Sequence, residues 1–207
     1  MKVRIAATAM AALCLSGCIS LLPKTKPAQL YRFGLPSATS TPEGPTPDAR
    51  GQFAVRAASL TFERAAASDR ILTVDGDQAA FIAGSRWVTS ASSLFEAAMT
   101  TAFDRHRGPA RLLAPGEPSG ADYTLKVDVR TFEARYNHGP AAAPTVVVEA
   151  YAALIRRGDM TDDRHRLFMA ETPASSNSLR GIAAAFSQSV AKVLGELVVW
   201  VDAKGAG

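Results

Sequence analysis

Cysteine is almost missing from this 207-residue chain, which has only Cys14 and Cys18. That excludes a disulfide-stapled scaffold and a cysteine-rich zinc site. Histidine is nearly as scarce. His106, His138 and His165 are scattered, and none belongs to a His-Glu-x-x-His run that would hold a catalytic zinc. There is no Gly-x-Ser-x-Gly nucleophile elbow and no Gly-x-x-x-x-Gly-Lys-Ser/Thr phosphate cradle. Charge of one sign is not concentrated either. The 23 Lys and Arg stand against 19 Asp and Glu, with no basic stripe of the kind nucleic-acid binding requires. Long apolar runs are also lacking. Ile5 to Leu15 is uncharged for eleven residues, and the next run, Thr145 to Ile155, contains Glu149. Both fall short of the roughly 20 residues of a membrane-spanning helix. What remains is ordinary globular composition, 47% hydrophobic and 20% charged, in a chain long enough to bury its own core.

The N-terminus carries the most specific signal. Met1-Lys2-Val3-Arg4 is basic, the apolar stretch Ile5 to Leu15 follows, and Leu15-Ser16-Gly17-Cys18 closes it with small residues. A basic start, a short apolar segment and a small-residue end describe a secretory signal peptide. The Leu-Ser-Gly-Cys end resembles the lipobox of bacterial lipoproteins, in which the chain is cut before the cysteine and that residue is acylated. Residues 1–17 are therefore expected to be removed, Cys18 to carry the lipid, and 18–27 to form a tether. Cysteine arithmetic agrees. Cys14 leaves with the leader, and lipidation accounts for the one thiol that would otherwise enter an oxidising compartment.

The body of the chain reads as residues 28–207. Gln29 to Leu35 alternates like a strand, and 37–51, with three prolines and no large apolar residue, reads as an excursion. Strands are expected at Phe53–Ala57, Arg70–Val74 and Gln78–Ile82, with Asp75-Gly76-Asp77 as a turn rather than a calcium loop. Ser93-Leu94-Phe95-Glu96 fits a capping box that opens a helix with a stripe of Phe95, Ala98, Met99, Ala102 and Phe103. His106 falls in its last turn, where a cation suits the helix dipole. Tyr123, Leu125, Val127 and Val129 alternate with polar residues, and the phase change after Thr131 predicts a bulge. Val146 to Ile155 and Leu167 to Ala170 continue an antiparallel meander. Capped by one of the serines between 175 and 178, a last helix gathers apolar residues from Leu179 to Val201 within about 120° of arc, leaving Gly181 and Asp202 opposite. The expected fold class is α+β: a single domain with an antiparallel-rich sheet and two main helices packed on one face.

Pro27-Ala-Gln-Leu-Tyr-Arg-Phe-Gly-Leu35 after the lipobox, Phe53-Ala-Val-Arg, Ser85-Arg-Trp-Val88 and the final Val193-Leu-Gly-Glu-Leu-Val-Val-Trp-Val201 together resemble the auxiliary lipoproteins of ABC-type transport systems. These accompany the mammalian-cell-entry class of lipid transporter in Gram-negative bacteria. The resemblance implies a non-catalytic, periplasm-facing protein with no cofactor or metal, helping hydrophobic molecules move between two membranes. Its partners would be the membrane, through acyl chains on Cys18, and transporter subunits on separate chains: ATPase, permease and single-pass substrate-binding protein. Ile19, in place of an aspartate after the lipidated cysteine, points to the inner leaflet of the outer membrane. A structural or envelope-assembly lipoprotein binding other proteins or peptidoglycan is the alternative. An open sheet offers edges that dock another chain or a second copy. The candidate edges are Leu30 to Leu35, with Tyr31 and Phe33, and Leu167 to Ala170, with Phe168.

Overall fold

The computed structural model describes residues 27–34, 53–106, 108–159 and 164–205. The expected leader, the tether from Cys18 to Lys26, the Leu35 end of one candidate edge and the proline-rich stretch 37–51 lie outside the described residues. The strands are β1 (Gln29–Tyr31), β2 (Phe53–Ala57), β3 (Thr61–Phe62), β4 (Leu72–Asp75), β5 (Gln78–Phe81), β6 (Ser85–Trp87), β7 (Ala110–Leu112), β8 (Tyr123–Arg135), β9 (Thr145–Arg156) and β10 (His165–Pro173). The helices are α1 (Ala91–Arg105) and α2 (Leu179–Gly205).

The long strand β8 organises the main sheet. Its alternation buries Tyr123, Leu125, Val127 and Val129, and after the expected bulge between Val129 and Thr131 the buried set moves to Phe132 and Ala134. Antiparallel to it along one edge runs β9, whose other edge takes β10, so the meander stands as expected. On the opposite edge of β8 the architecture departs from expectation. Three short strands lie end to end there, all parallel to β8: β2 beside Tyr123 to Leu125, β3 beside Asp128 and Val129, β4 beside Ala134 and Arg135. With β7 parallel to β2, the main sheet is mixed, and its parallel partnerships outnumber the antiparallel ones. The antiparallel-rich expectation is thereby corrected. Parallel neighbours need a long crossover, and here it is supplied by the β4–β5 hairpin, β6 and α1 between β2 and β8. The β4–β5 hairpin turns at Gly76, whose φ of +59° is the glycine geometry that a two-residue turn matched to strand twist requires.

Both helices cover one face. The N-cap of α1 is Ser90, whose hydroxyl accepts from the Ser93 N–H at 3.1 Å. The helix thus opens one turn before the expected capping box. Its buried stripe includes Phe95, Ala98, Met99 and Phe103, but also Ala91 and Leu94. Ser178 caps α2, accepting from the Gly181 N–H at 3.1 Å. By length and a mean hydropathy of 1.4, α2 could cross a bilayer, although no unbroken apolar run within it approaches that length. That composition serves the core: Ile182, Phe186, Val190, Val193, Leu197 and Val201 are each at most 2% exposed, and α2 packs along β9 and β10. Gly181, expected on the outer side, is buried instead. A Cβ there would stand 2.9 Å from the Ser176 carbonyl, so the turn entering α2 closes over it.

Candidate docking surfaces

With α1 and α2 on one face, the opposite face of the β8–β9–β10 meander has no described element packed on it. Alternation places Lys126, Asp128 and Arg130 of β8 there, with Glu149, Tyr151 and Ala153 of β9 and Leu167 and Met169 of β10. Several of the polar side chains are tied up internally. Arg130 pairs with Asp128 at 3.1 Å and lies 4.3 Å from the Tyr151 ring centroid. Arg135 pairs with Glu133 at 2.6 Å. The ring of His165 lies tilted against Tyr151, 5.7 Å between centroids. The apolar part sits at the edge, where Leu167 and Met169 are 48% and 52% exposed, opposite Tyr151 and Glu149.

Among the described residues β10 pairs only with β9, so no described strand occupies its outer backbone edge. Pro173 closes one end, because proline lacks the N–H a ladder needs. Arg166 and Glu171 place charge near the edge, which discourages unspecific pairing. Leu167 to Ala170 is left as the segment best shaped for strand addition. Phe168 itself points inward, at 1% exposure, with its ring edge-on to Trp200 at 5.7 Å. Trp200 is accordingly core packing. Any partner at this edge would meet backbone, Leu167 and Met169, rather than the Phe168 ring.

The second candidate edge is divided differently. Strand β1 is not part of the main sheet; it pairs in parallel with β6, Leu30 opposite Arg86 and Tyr31 opposite Trp87. Tyr31 is partly buried against the core. Phe33 is 2% exposed, 5.0 Å from Trp87 and 5.1 Å from Phe132 by ring centroids. Phe33 is thus a core anchor that pins the entering chain, and the side chains turned outward are Leu30 and Arg32.

Between the helices runs a shallow groove of about 300 Å³, lined by Gly34, Ala98, Ala102, Val190 and Leu194 with Arg105 and His106 at one end. Its small side chains follow from close approach: a Cβ on Gly34 would collide with that of Ala98. The ring of His106 is held by the carboxylate of Asp202, whose other oxygen accepts from the Ala110 N–H at 3.0 Å. Ser187 lines the same groove. It lies fifteen positions from Asp202 on one helix, about 22 Å along the axis, so the three do not converge as a nucleophilic triad. The His106–Asp202 contact joins the end of α1 to the end of α2. Sequence periodicity could not reveal it, because Asp202 lies off the apolar stripe and its partners come from distant elements.

One loop is fixed electrostatically. Both terminal guanidinium nitrogens of Arg111 donate to Glu117, at 2.7 and 3.2 Å, and the Ser119 hydroxyl and Ala114 N–H donate to the same carboxylate. These donors, Arg111 foremost, hold the Glu117 carboxyl down at about 2. Arg56 clips the loop from below by donating to the carbonyls of Glu117 and Ser119. Among the described residues no three His, Cys, Asp or Glu side chains are grouped to hold a metal ion.

As a class, this is an α+β domain whose sheet is covered by two helices on one face and has no described element packed on the other. Residues 33–198 match the model of the ABC-type transport auxiliary lipoprotein component, and the chain belongs to that family. The crystal structure of protein XCC0632 from Xanthomonas campestris is similar, with a TM-score of 0.71 at 26% identity over 86% of this chain and 97% of that one. A crystal structure of an uncharacterized protein shares the fold at a TM-score of 0.64 and 14% identity, covering 85% and 99%. The hypothetical protein CT253 from Chlamydia trachomatis shares it at a TM-score of 0.50 and 6% identity, covering 74% and 99%. No curated protein matches.

Proposed function

We propose that this auxiliary lipoprotein works as a lipid-anchored, periplasm-facing docking component of a mammalian-cell-entry class transporter that moves lipids or other hydrophobic molecules between the two membranes. The observation that carries the reading is the joint presence of the Leu15-Ser16-Gly17-Cys18 box and a family match that spans residues 33–198. Cleavage before Cys18 and acylation leave a short tether to the folded body, and several acyl chains make attachment lasting where one would be marginal. Ile19 directs the mature protein to the inner leaflet of the outer membrane. The open β10 edge, with Leu167 and Met169, supplies the contact to transporter subunits or to a second copy. ATP hydrolysis and the membrane channel reside on other chains.

Intact-mass spectrometry of the membrane-extracted protein tests the anchor: loss of residues 1–17 with added lipid mass supports it, and an unmodified Cys18 refutes it. Crosslinking in cells from position 167 tests the partner. Capture of a transporter subunit or of the protein itself is expected. No envelope crosslink, together with unchanged detergent resistance on deletion, overturns the transport role.

A further inference from the structure

Five large apolar side chains are exposed among the described residues, and two of them, Leu30 at 62% and Val88 at 40%, belong to one small ribbon. Its strands are β1 and β6, and the Val88 N–H extends the pairing by donating to the Tyr31 carbonyl at 2.8 Å. Alternation sends Tyr31 and Trp87 inward and sends Leu30, Arg32, Arg86 and Val88 outward. Arg86 is neutralised by Asp69, both of whose carboxylate oxygens it meets at 2.9 to 3.0 Å. The ribbon is rigidly mounted, because Phe33 and Trp87 interlock beneath it in the core. Its outer face combines two aliphatic side chains with the guanidinium of Arg32, the one outward cation that Asp69 does not take, a composition suited to an anionic lipid interface.

Its position along the chain selects the occupant. Resting on the anchor reading, only nine positions separate Cys18 from Pro27, where the described body begins, and Lys24 and Lys26 lie between them. Fully extended, that stretch reaches about 30 Å, and as a coil about 17 Å. The body itself is about 30 to 40 Å across for its length. The ribbon is therefore the first folded surface the anchor brings to the bilayer.

We infer that the outer face of the β1–β6 ribbon, Leu30 and Val88 with Arg32, is a membrane-contact surface that lies against anionic headgroups and fixes how the tethered domain stands on the bilayer.

The test uses the full lipidated protein in vesicles of phosphatidylethanolamine and phosphatidylglycerol that contain nitroxide-labelled lipid. A fluorophore is attached at Val88→Cys, at Leu30→Cys or, as control, at Lys204→Cys. The control lies eighteen positions beyond Phe186 on α2, about 27 Å along its axis, and Phe186 packs on Trp87 beneath the ribbon. With Cys14 removed and Cys18 acylated, each introduced cysteine is the sole thiol. The expected result is that labels at 88 and 30 lose most of their emission to lipid quenching while the label at 204 keeps most of its own. Protein that floats with the vesicles but shows no quenching at 88 and 30 overturns the contact surface, as does a shielded, unquenched label, which would mean a protein partner covers the ribbon. Protein that fails to float overturns the anchor reading instead.

Discussion

Asp202 and Ala110 are held by a hydrogen bond of 3.0 Å from the Ala110 N–H to one carboxylate oxygen, while the other oxygen of Asp202 meets His106. The start of β7 and the ends of both helices therefore share one side chain. Asp202 is only 14% exposed, so its removal leaves a largely sheltered N–H without its partner. Asp202→Ala should lower stability by about 1–3 kcal/mol, read from the midpoint of urea unfolding. Gly108→Ala should also destabilise, because a Cβ there would collide with the same carboxylate.

Phe33 distinguishes a core anchor from a docking residue. Its ring fills a cluster with Trp87 and Phe132, and Phe33→Ala should cost about 3–5 kcal/mol. Denaturant unfolding of the soluble body, with Cys18 and everything before it deleted, would measure this. A change below about 1 kcal/mol would return Phe33 to the surface.

The β10 edge carries the opposite expectation. Leu167→Asp and Met169→Lys alter exposed side chains, so stability should change by no more than about 0.5 kcal/mol, while crosslinking to partners falls. Proline at Phe168 would be a poor probe of the edge, because it also empties a buried ring position. Unfolding curves and in-cell crosslinking on the same variants separate the two effects.

Glu117 makes stability depend on acid. Its folded carboxyl titrates at about 2, below the ordinary 4.5, with Arg111 as the leading cause. A depressed carboxylate stabilises the fold fully above 4.5, and the contribution disappears as pH falls through about 2. Glu117→Gln should therefore be less stable than the parent at pH 7. The gap should shrink steadily from pH 5 downward and close near pH 2, as followed by unfolding midpoints at each pH.

Much of this fold was readable from residue order, and the reasons it stops are physical. The alternation from Tyr123 to Val129 and its slip after Thr131 announced β8 and its bulge, since half-buried strands write their pattern locally. The stripe from Leu179 to Val201 did the same for α2. Strands β3, β6 and β7, of two or three residues each, are too short to establish a period, and they exist because a neighbour's backbone offers them hydrogen bonds. The direction of pairing along the far edge of β8 is likewise set by where the chain returns after α1, which no local pattern encodes. By sequence Phe33 and Phe168 read as edge residues; Phe168 does lie on the border strand β10, whereas Phe33 follows the end of β1. Which way each ring turns, however, depends on Trp87, Phe132 and Trp200 in other elements. Asp202 reads only as an outward residue of the last helix for the same reason: its partners are a histidine and an amide far away in sequence.

The three short strands lined up on one side of β8 have a consequence for the order in which the chain is made. Val55, Thr61 and Thr73 all find their partners between Tyr123 and Ala134, which leave the ribosome well after them. Until that stretch arrives, β2, β3 and the outer edge of β4 lack their β8 partner, and the pairings within reach include β4 with β5 and β1 with β6. The meander and α2, by contrast, are neighbours in sequence and can assemble promptly. The C-terminal half is thus the mould and the N-terminal half the casting: β2, β3 and β4 can complete their native pairing only once β8 is in place.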